Sequence, residues 1–392
     1  MGSAWDWVTV SAAVLPAFLR ITWDLSGFLA LRRRGESGSN QGESTRPAED
    51  PAATLILCTC NDLNALKKAW PHWTGQHFPT GWQVEWLVVD DASTDGTKEW
   101  LEDRLKEFPR LSLIHHTKRT PGKKGALTAG IQAARFDRLV LTDADCLPGP
   151  LWAHGMARSL GSPMDNEGTD VVLGISLPDG GPTLLQFDAL RVAFQYMGEA
   201  AASRPYMGVG RNLAYRKSLW EKLGGFRAHH DLIGGDDDLF VQEAVREGYL
   251  VHPVARPTVD GHNSTLPASD SRDGWRRKRR HLSTAPRYRW IDRLRLGLDA
   301  LLDPMVLTAA VLGMCGLMHT LGWIPVVALA LAIAIRSITL SMFSRAWGQR
   351  HFPAWKCAVF GPIRWMGLAS ATLTNAFTSS PTWTQRAPTS RS

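Results

Sequence analysis

The stretch "RLVLTDADCLPGP" (residues 138–150) decides how this chain is read. An apolar run runs straight into two carboxylates spaced one apart, Asp143 and Asp145. A run apolar on both faces fits a strand covered by helices on each side of a parallel sheet. Side chains on an extended strand alternate with period two, so the two carboxylates point the same way and suit a divalent cation with hard oxygen ligands. The competing explanation is a solvated acid pair, with Asp145 capping a turn before Pro148.

Similar runs surround it. "TLILCTC" (54–60), "VEWLVVD" (84–90), "LSLIHH" (111–116) and "DVVLGIS" (170–176) are separated by helical patterns at 62–73, 95–107 and 123–135. The alternation predicts a doubly wound α/β domain with a mostly parallel sheet. Ligands of such sheets sit outside the carboxyl ends of the strands. Asn61 and Asp62, Asp90 and Asp91, and Asp143 and Asp145 are therefore expected on one rim.

Two further clusters bear chemistry. In "HHDLIGGDDDLFVQEAVREG" a Gly pair delivers Asp236, Asp237 and Asp238 to a helix start. Acids favour that position for its dipole alone, but three in a row exceed what capping needs, and mutual repulsion raises the proton affinity of one member toward that of a general base. "TPGKKGALTAG" (120–130) sets Lys123 and Lys124 at another helix start, where free N–H groups and ammonium meet an anion. The GxxxxGK[ST] spacing of a P-loop is absent.

Residues 272–295 hold ten Arg or Lys against Asp273 and Asp292, an excess of eight where the whole 392-residue chain carries +7. The rest is therefore near neutral, and the block, placed just before the most apolar part of the chain, points first to a membrane surface. Nucleic acid is not expected as a partner, since aromatic residues are not interleaved in a stacking surface. The five cysteines form no CxxC pair and are expected as buried thiols in a reducing compartment.

The organisation expected is an N-terminal transmembrane or interfacial helix (1–34) carrying Pro16, Arg20 and Asp24, a flexible linker (35–52), a catalytic domain (53–271), a basic interfacial segment (272–295), three membrane spans (296–378) and a tail (379–392). The positive-inside rule places the catalytic domain in the cytoplasm of an integral membrane protein, the bacterial inner membrane being the expected site.

In order, "LILCTCND", "VVDDASTDGT", "PGKKGAL", "LTDADC", "GVGRNLAYRKSLWEKLGGF", "GGDDDLF" and "WRRKRRHL" resemble the successive motifs of family 2 glycosyltransferases, inverting enzymes of the GT-A fold that use nucleotide-sugar donors. The resemblance spans about residues 53–285. It implies that Asp90 and Asp91 contact the uridine or other nucleoside, that Asn61 and Asp62 lie near the base, and that Lys124, with Lys123 beside it, approaches the nucleotide. Asp145 would ligate Mg2+ or Mn2+, with Asp143 facing ribose or the metal shell. Asp237 aligns with the base, with a slide to Asp236 or Asp238 left open, and Gly210 and Asn212 would wall the sugar and acceptor. At the place of the QxxRW motif of processive synthases stands "RKRRH", so Arg277 replaces Gln and His281 replaces Trp while Arg280 is kept; Arg277 and Arg280 could bind the leaving diphosphate. The implied partners are a nucleotide-sugar donor, a UDP-sugar first, a lipid-linked or glycan acceptor, and membrane lipids. A sugar nucleotidyltransferase, with a similar nucleotide-binding sheet, and a membrane-tethered binding protein are the competing readings.

Overall fold

A computed structural model of the chain describes residues 4–40, 51–118, 122–161, 168–181, 183–254, 263–266, 282–314 and 323–347. Arg277, Arg280 and the third expected span, residues 354–377, lie outside the described residues.

The sheet is the mostly parallel one that the alternating runs predict. Strands β1 (Ala52–Thr59), β2 (Gln83–Asp91), β3 (Leu111–His116) and β4 (Arg138–Asp143) run parallel in the order β3-β2-β1-β4. β1 sits in the middle and is buried along almost its whole length, as a run apolar on both faces requires. Helix α1 (Ala4–Asn40) precedes the strands, and α2 (Leu63–Thr74), α3 (Thr97–Glu107) and α4 (Lys124–Ala133) intervene in chain order. β5 (Cys146–Pro148) and α5 (Trp152–Arg158) follow.

Beyond β4 the sheet turns mixed. β6 (Val171–Leu173) precedes β7 (Leu177–Pro178), α6 (Thr183–Ala201), β8 (Leu213–Arg216), α7 (Lys217–Lys222), α8 (Asp238–Arg246), β9 (Val251–Pro253) and β10 (Asn263–Thr265). β8 inserts antiparallel between β4 and β6, and β9 closes the edge parallel to β6. Leu213–Arg216, which follow the Gly210 and Asn212 segment, form a fully buried strand that the alternating runs do not mark. Four residues are too few to show a period. β5, β10 and β7 make a second, three-stranded sheet.

Register carries the strand ends to one rim. Cys58 of β1 pairs with Val89 of β2 and with Asp143 of β4, Thr59 with Asp90, and Asp90 and Asp91 with His115 and His116 of β3.

The C-terminal helices α9 (Trp290–Met314) and α10 (Trp323–Ala346) pack with α1 into a bundle that also contacts α6. α1 and α6 cross at Gly27 and Gly198, where a Cβ added to Gly198 would stand 3.0 Å from the Gly27 Cα. Two of the described helical stretches, Val14–Glu36 and Trp323–Ala346, are long and apolar enough to cross a membrane by length and composition.

Arg20 and Asp24, costly on an apolar helix, are both buried and form part of a closed ring of six charges. Arg20 Nη2 pairs with Asp24 at 2.7 Å, Asp24 with Arg336 Nε at 3.1 Å, and Arg336 Nη1 with Asp303 at 2.7 Å. Asp303 lies 3.5 Å from Arg191 Nη2, which meets Asp299 at 3.0 Å, and Asp299 returns to Arg20 Nη1. Three arginines and three aspartates thus alternate around the ring, drawn from α1, α6, α9 and α10. Each charge finds an opposite on both sides, which is how apolar helices tolerate ions.

Candidate active site

The rim is assembled from loops that the sheet places side by side. After β1 the chain turns through Asn61 at φ 57°, whose N–H donates to Ser93 Oγ at 2.9 Å and whose Oδ1 accepts the Thr94 N–H at 2.7 Å. Asp62 stands at the N-cap of α2, where its carbonyl accepts the Leu66 N–H at 2.8 Å. Asp95 accepts the N–H groups of Leu63 (3.0 Å) and Thr97 (3.1 Å) with the Thr97 hydroxyl. Burial would raise its proton affinity, but these bonds outweigh it and hold the carboxyl below its ordinary range. The β1 and β2 loops are thus tied to each other.

At the end of β2 both acids are buried. Asp90 accepts the Ser93 N–H at 3.3 Å and lies 3.6 Å from His115 Nδ1. Asp91 meets His116 Nδ1 at 2.8 Å and the Lys118 ammonium. No motif in the sequence marks His116 and Lys118; the signal that points to them is the end of β3, whose residues pair directly with the β2 acids. Cys60 beside them is partly exposed rather than buried, its thiol pushed up to about 11 by burial and the neighbouring acids.

Asp143 and Asp145 are both partly exposed at the end of β4, and the Lys123 ammonium sits on Asp143 Oδ1. Burial would lower the proton affinity of Lys123, but the charges of Asp143 and Asp236 overcome it and raise it. Among the described residues no group of three or more His, Cys, Asp or Glu gathers as a metal cage. Two partly exposed carboxylates with a cation already drawn to one of them are a donor set that fits Mg2+ or Mn2+, which take one or two carboxylates and complete their shell with water and phosphate oxygens.

Opposite lies the acidic helix start. Gly122, at φ +93°, brings the lysine loop so close to this segment that a Cβ there would stand 2.6 Å from Ile233 O. Lys124 lies at the start of α4 as the sequence predicts, but its ammonium is buried and donates to the carbonyls of His229 and of Leu232 (3.1 Å). It braces the loop leading to Asp236 rather than projecting toward an anion; burial lowers its proton affinity.

The three acids differ in what their oxygens do. Asp236 is partly exposed, its carboxyl raised first by burial and then by the charge of Asp237. Asp237 caps α8 through the Asp238 N–H (2.7 Å) and accepts the Gly210 N–H at 2.9 Å. Asp238 is 1 % exposed, with both oxygens engaged by the Leu239 N–H (2.8 Å), Tyr288 Oη (2.7 Å) and Thr284. Its near-complete burial, against the 8 % exposure of Asp237, argues against Asp238 as the base.

Gly210 reaches the rim, but Asn212 does not. Its side chain is fully buried, with Nδ2 donating to Ile175 O at 2.5 Å and Oδ1 accepting the Trp152 Nε1–H at 2.8 Å. It holds the wall from behind, a correction to its expected place against the sugar.

Residues 54–224 match the model of Glycosyl transferase family 2. A glycosyltransferase of Haloferax volcanii, AglE, is 28 % identical over 200 residues, covering 51 % of this chain and 63 % of that protein. The undecaprenyl-phosphate mannosyltransferase of Micrococcus luteus is 44 % identical over 93 residues, 23 % of this chain and 36 % of that one. The matches thus span less than two thirds of these relatives. Among solved structures, the mannosyltransferase PcManGT from Pyrobaculum calidifontis, in complex with GDP-Man and Mn2+, aligns with a TM-score of 0.52 at 20 % identity, covering 94 % of this chain and 99 % of that one.

Proposed function

We propose that this chain, which carries a family 2 glycosyltransferase domain, moves a sugar from a nucleoside-diphosphate donor to a hydroxyl of a lipid-linked or glycan acceptor at a membrane face. The observation that carries this is the meeting, on one rim, of Asp143 and its partner Lys123 with Asp236, which stands next to the Gly210-bound Asp237.

Asp90, Asp91 and the Asn61 turn form the nucleoside end of the rim. Asp143 and Asp145 would hold Mg2+ or Mn2+, which supplies neutralisation of the leaving diphosphate. Lys123 adds a fixed positive charge at the same edge. Asp237 is the base: it removes the proton of the acceptor hydroxyl, whose oxygen attacks the anomeric carbon from the face opposite the nucleotide, so configuration inverts. Its bond from the Gly210 N–H fixes the carboxylate. The donor nucleotide favoured by the resemblance is uridine; the GDP-Man bound by the Pyrobaculum protein makes guanosine the second to try.

The bundle of α1, α9 and α10 faces outward with Leu15, Phe18, Leu301, Met305, Leu331 and Ile338, all exposed, a surface suited to lipid. A cytoplasmic rim next to such a bundle suits an acceptor drawn from the inner leaflet, in keeping with the lipid acceptor named for the Micrococcus relative.

Donor hydrolysis by detergent-purified protein tests this, with a panel of UDP- and GDP-sugars and Mn2+ or Mg2+. Metal-dependent release of one nucleoside diphosphate, lost in Asp145→Asn and Asp237→Asn, is expected. Release of pyrophosphate, or turnover indifferent to both substitutions, would overturn it.

A further inference from the structure

Asp238 and Gln242 lie one turn apart on α8 and so share a face. Both are 1 % exposed, and both have every polar atom bonded. Asp238 takes its three bonds from Leu239, Thr284 and Tyr288. Gln242 Nε2 donates to Tyr206 O at 2.8 Å and to Asp292 Oδ2 at 3.1 Å, while its Oε1 accepts the Arg289 N–H at 2.9 Å. Arg289 closes the knot, its Nε donating to Asp292 at 2.7 Å and its Nη2 to Pro205 O at 3.1 Å.

Apart from the helix's own Leu239, these partners belong to residues 205–206 or 284–292. The first pair joins α6 to the Gly210 wall. The second stretch leads into α9, whose Asp299 and Asp303 stand in the charge ring together with Arg191 of α6. Two routes therefore run to the acid-bearing helix: the 284–292 stretch from α9 ends on both side chains, and the 205–206 stretch from α6 ends on Gln242.

We propose that Asp238 and Gln242 are positioning residues that strap the catalytic helix α8 to the foot of α9, setting Asp236 and Asp237 at a fixed distance from the helix bundle. An apolar face would bury as much surface and bind as tightly, but would not select one register. A buried polar face with every bond made adds little net stability and permits one arrangement. Register is what a transferase needs when its acceptor is presented by the bundle rather than by free diffusion, because a misplacement of about 1 Å at the reacting atoms costs about 100-fold in rate. The catalytic half of this proposal rests on the transferase reading; the strap itself does not.

The test uses the full chain in detergent, with two readouts: amide hydrogen exchange, and metal-dependent nucleoside diphosphate release. Gln242→Leu should lower kcat about 10- to 100-fold. The donor KM and the midpoint of the kcat pH profile should stay put, and exchange should rise together in residues 236–241 and 284–292 but not in β1 to β4. Tyr288→Phe, which removes one bond without changing shape, should do the same on a scale of a few-fold, and serves if Gln242→Leu does not fold. Asp238→Asn should keep measurable turnover and the pH limb that Asp237→Asn abolishes.

Three results would overturn the proposal. Wild-type kcat and exchange in Gln242→Leu would remove the strap. Exchange rising through the whole sheet, with donor affinity lost in step, would reduce the two residues to general stability. Loss of the pH limb in Asp238→Asn would make Asp238 the base. A wild type inert to every donor would sink the transferase reading alone, since exchange still decides the strap.

Discussion

In the helix bundle each buried charge has an opposite on both sides; at the sheet rim the acids outnumber the bases. Arg20, Arg191 and Arg336 alternate with Asp24, Asp299 and Asp303. At the rim Asp90, Asp91, Asp143, Asp145, Asp236 and Asp237 face Lys118 and Lys123, while Lys124 is spent on carbonyls. A balanced cluster is complete as it stands and serves structure. An unbalanced one stores repulsion that a cation relieves, and that is the mark of a site with something to bind.

The largest effect should come from deepening or removing the rim's imbalance. Asp237→Asn and Asp145→Asn are each expected to cut kcat about 1,000-fold or more, and a chelator to match Asp145→Asn, with the fold intact by circular dichroism. If Asp145→Asn kept its activity in the presence of chelator, the rim would not be a cation site. In the ring, Arg336→Met leaves Asp24 and Asp303 with one partner each and an excess negative charge, and should cost about 3–5 kcal/mol in denaturant unfolding, whereas Asp24→Leu with Arg336→Met should recover most of it. Equal instability of the single and double variants would show that shape, not balance, holds the ring.

A smaller effect is expected from Lys124→Met, which unties the loop before Asp236. Turnover should fall about tenfold while nucleotide binding, measured calorimetrically, holds; equal loss of both would make Lys124 a nucleotide ligand after all. The smallest is a pH effect. Burial, then the charge of Asp237, push the Asp238 carboxyl up to about 7, so the folded state holds a proton that the unfolded chain releases near pH 4. Its contribution to stability is present at low pH and is lost as pH rises from about 4 to 7. Asp238→Asn should flatten that part of the melting-temperature profile, and an unchanged slope would assign the proton elsewhere.

What the sequence discloses and hides follows the same division. The strand ends and their acids are legible because a strand, its terminal carboxylates and the next helix start are local in the chain. In the mixed half β6 is legible inside the run at 170–176, whereas β8 and β9, of four and three residues, are hidden by their length. Lys124 and Asn212 have the right residue types in the right motifs, yet their polar atoms bond to backbone far along the chain, a property that spacing does not carry. Arg20 and Asp24 look like defects of an apolar helix because the residues that match them lie 279 and 312 positions away.

That separation orders events in the life of the chain. Arg20 and Asp24 leave the ribosome before any of α6, α9 or α10 exists, and their last partner, Arg336, comes 312 residues after Asp24. Until those helices exist, Arg20 and Asp24 have only each other as ion-pair partners. A chain cut short before α10 therefore leaves Asp24 and Asp303 each without the arginine that α10 supplies.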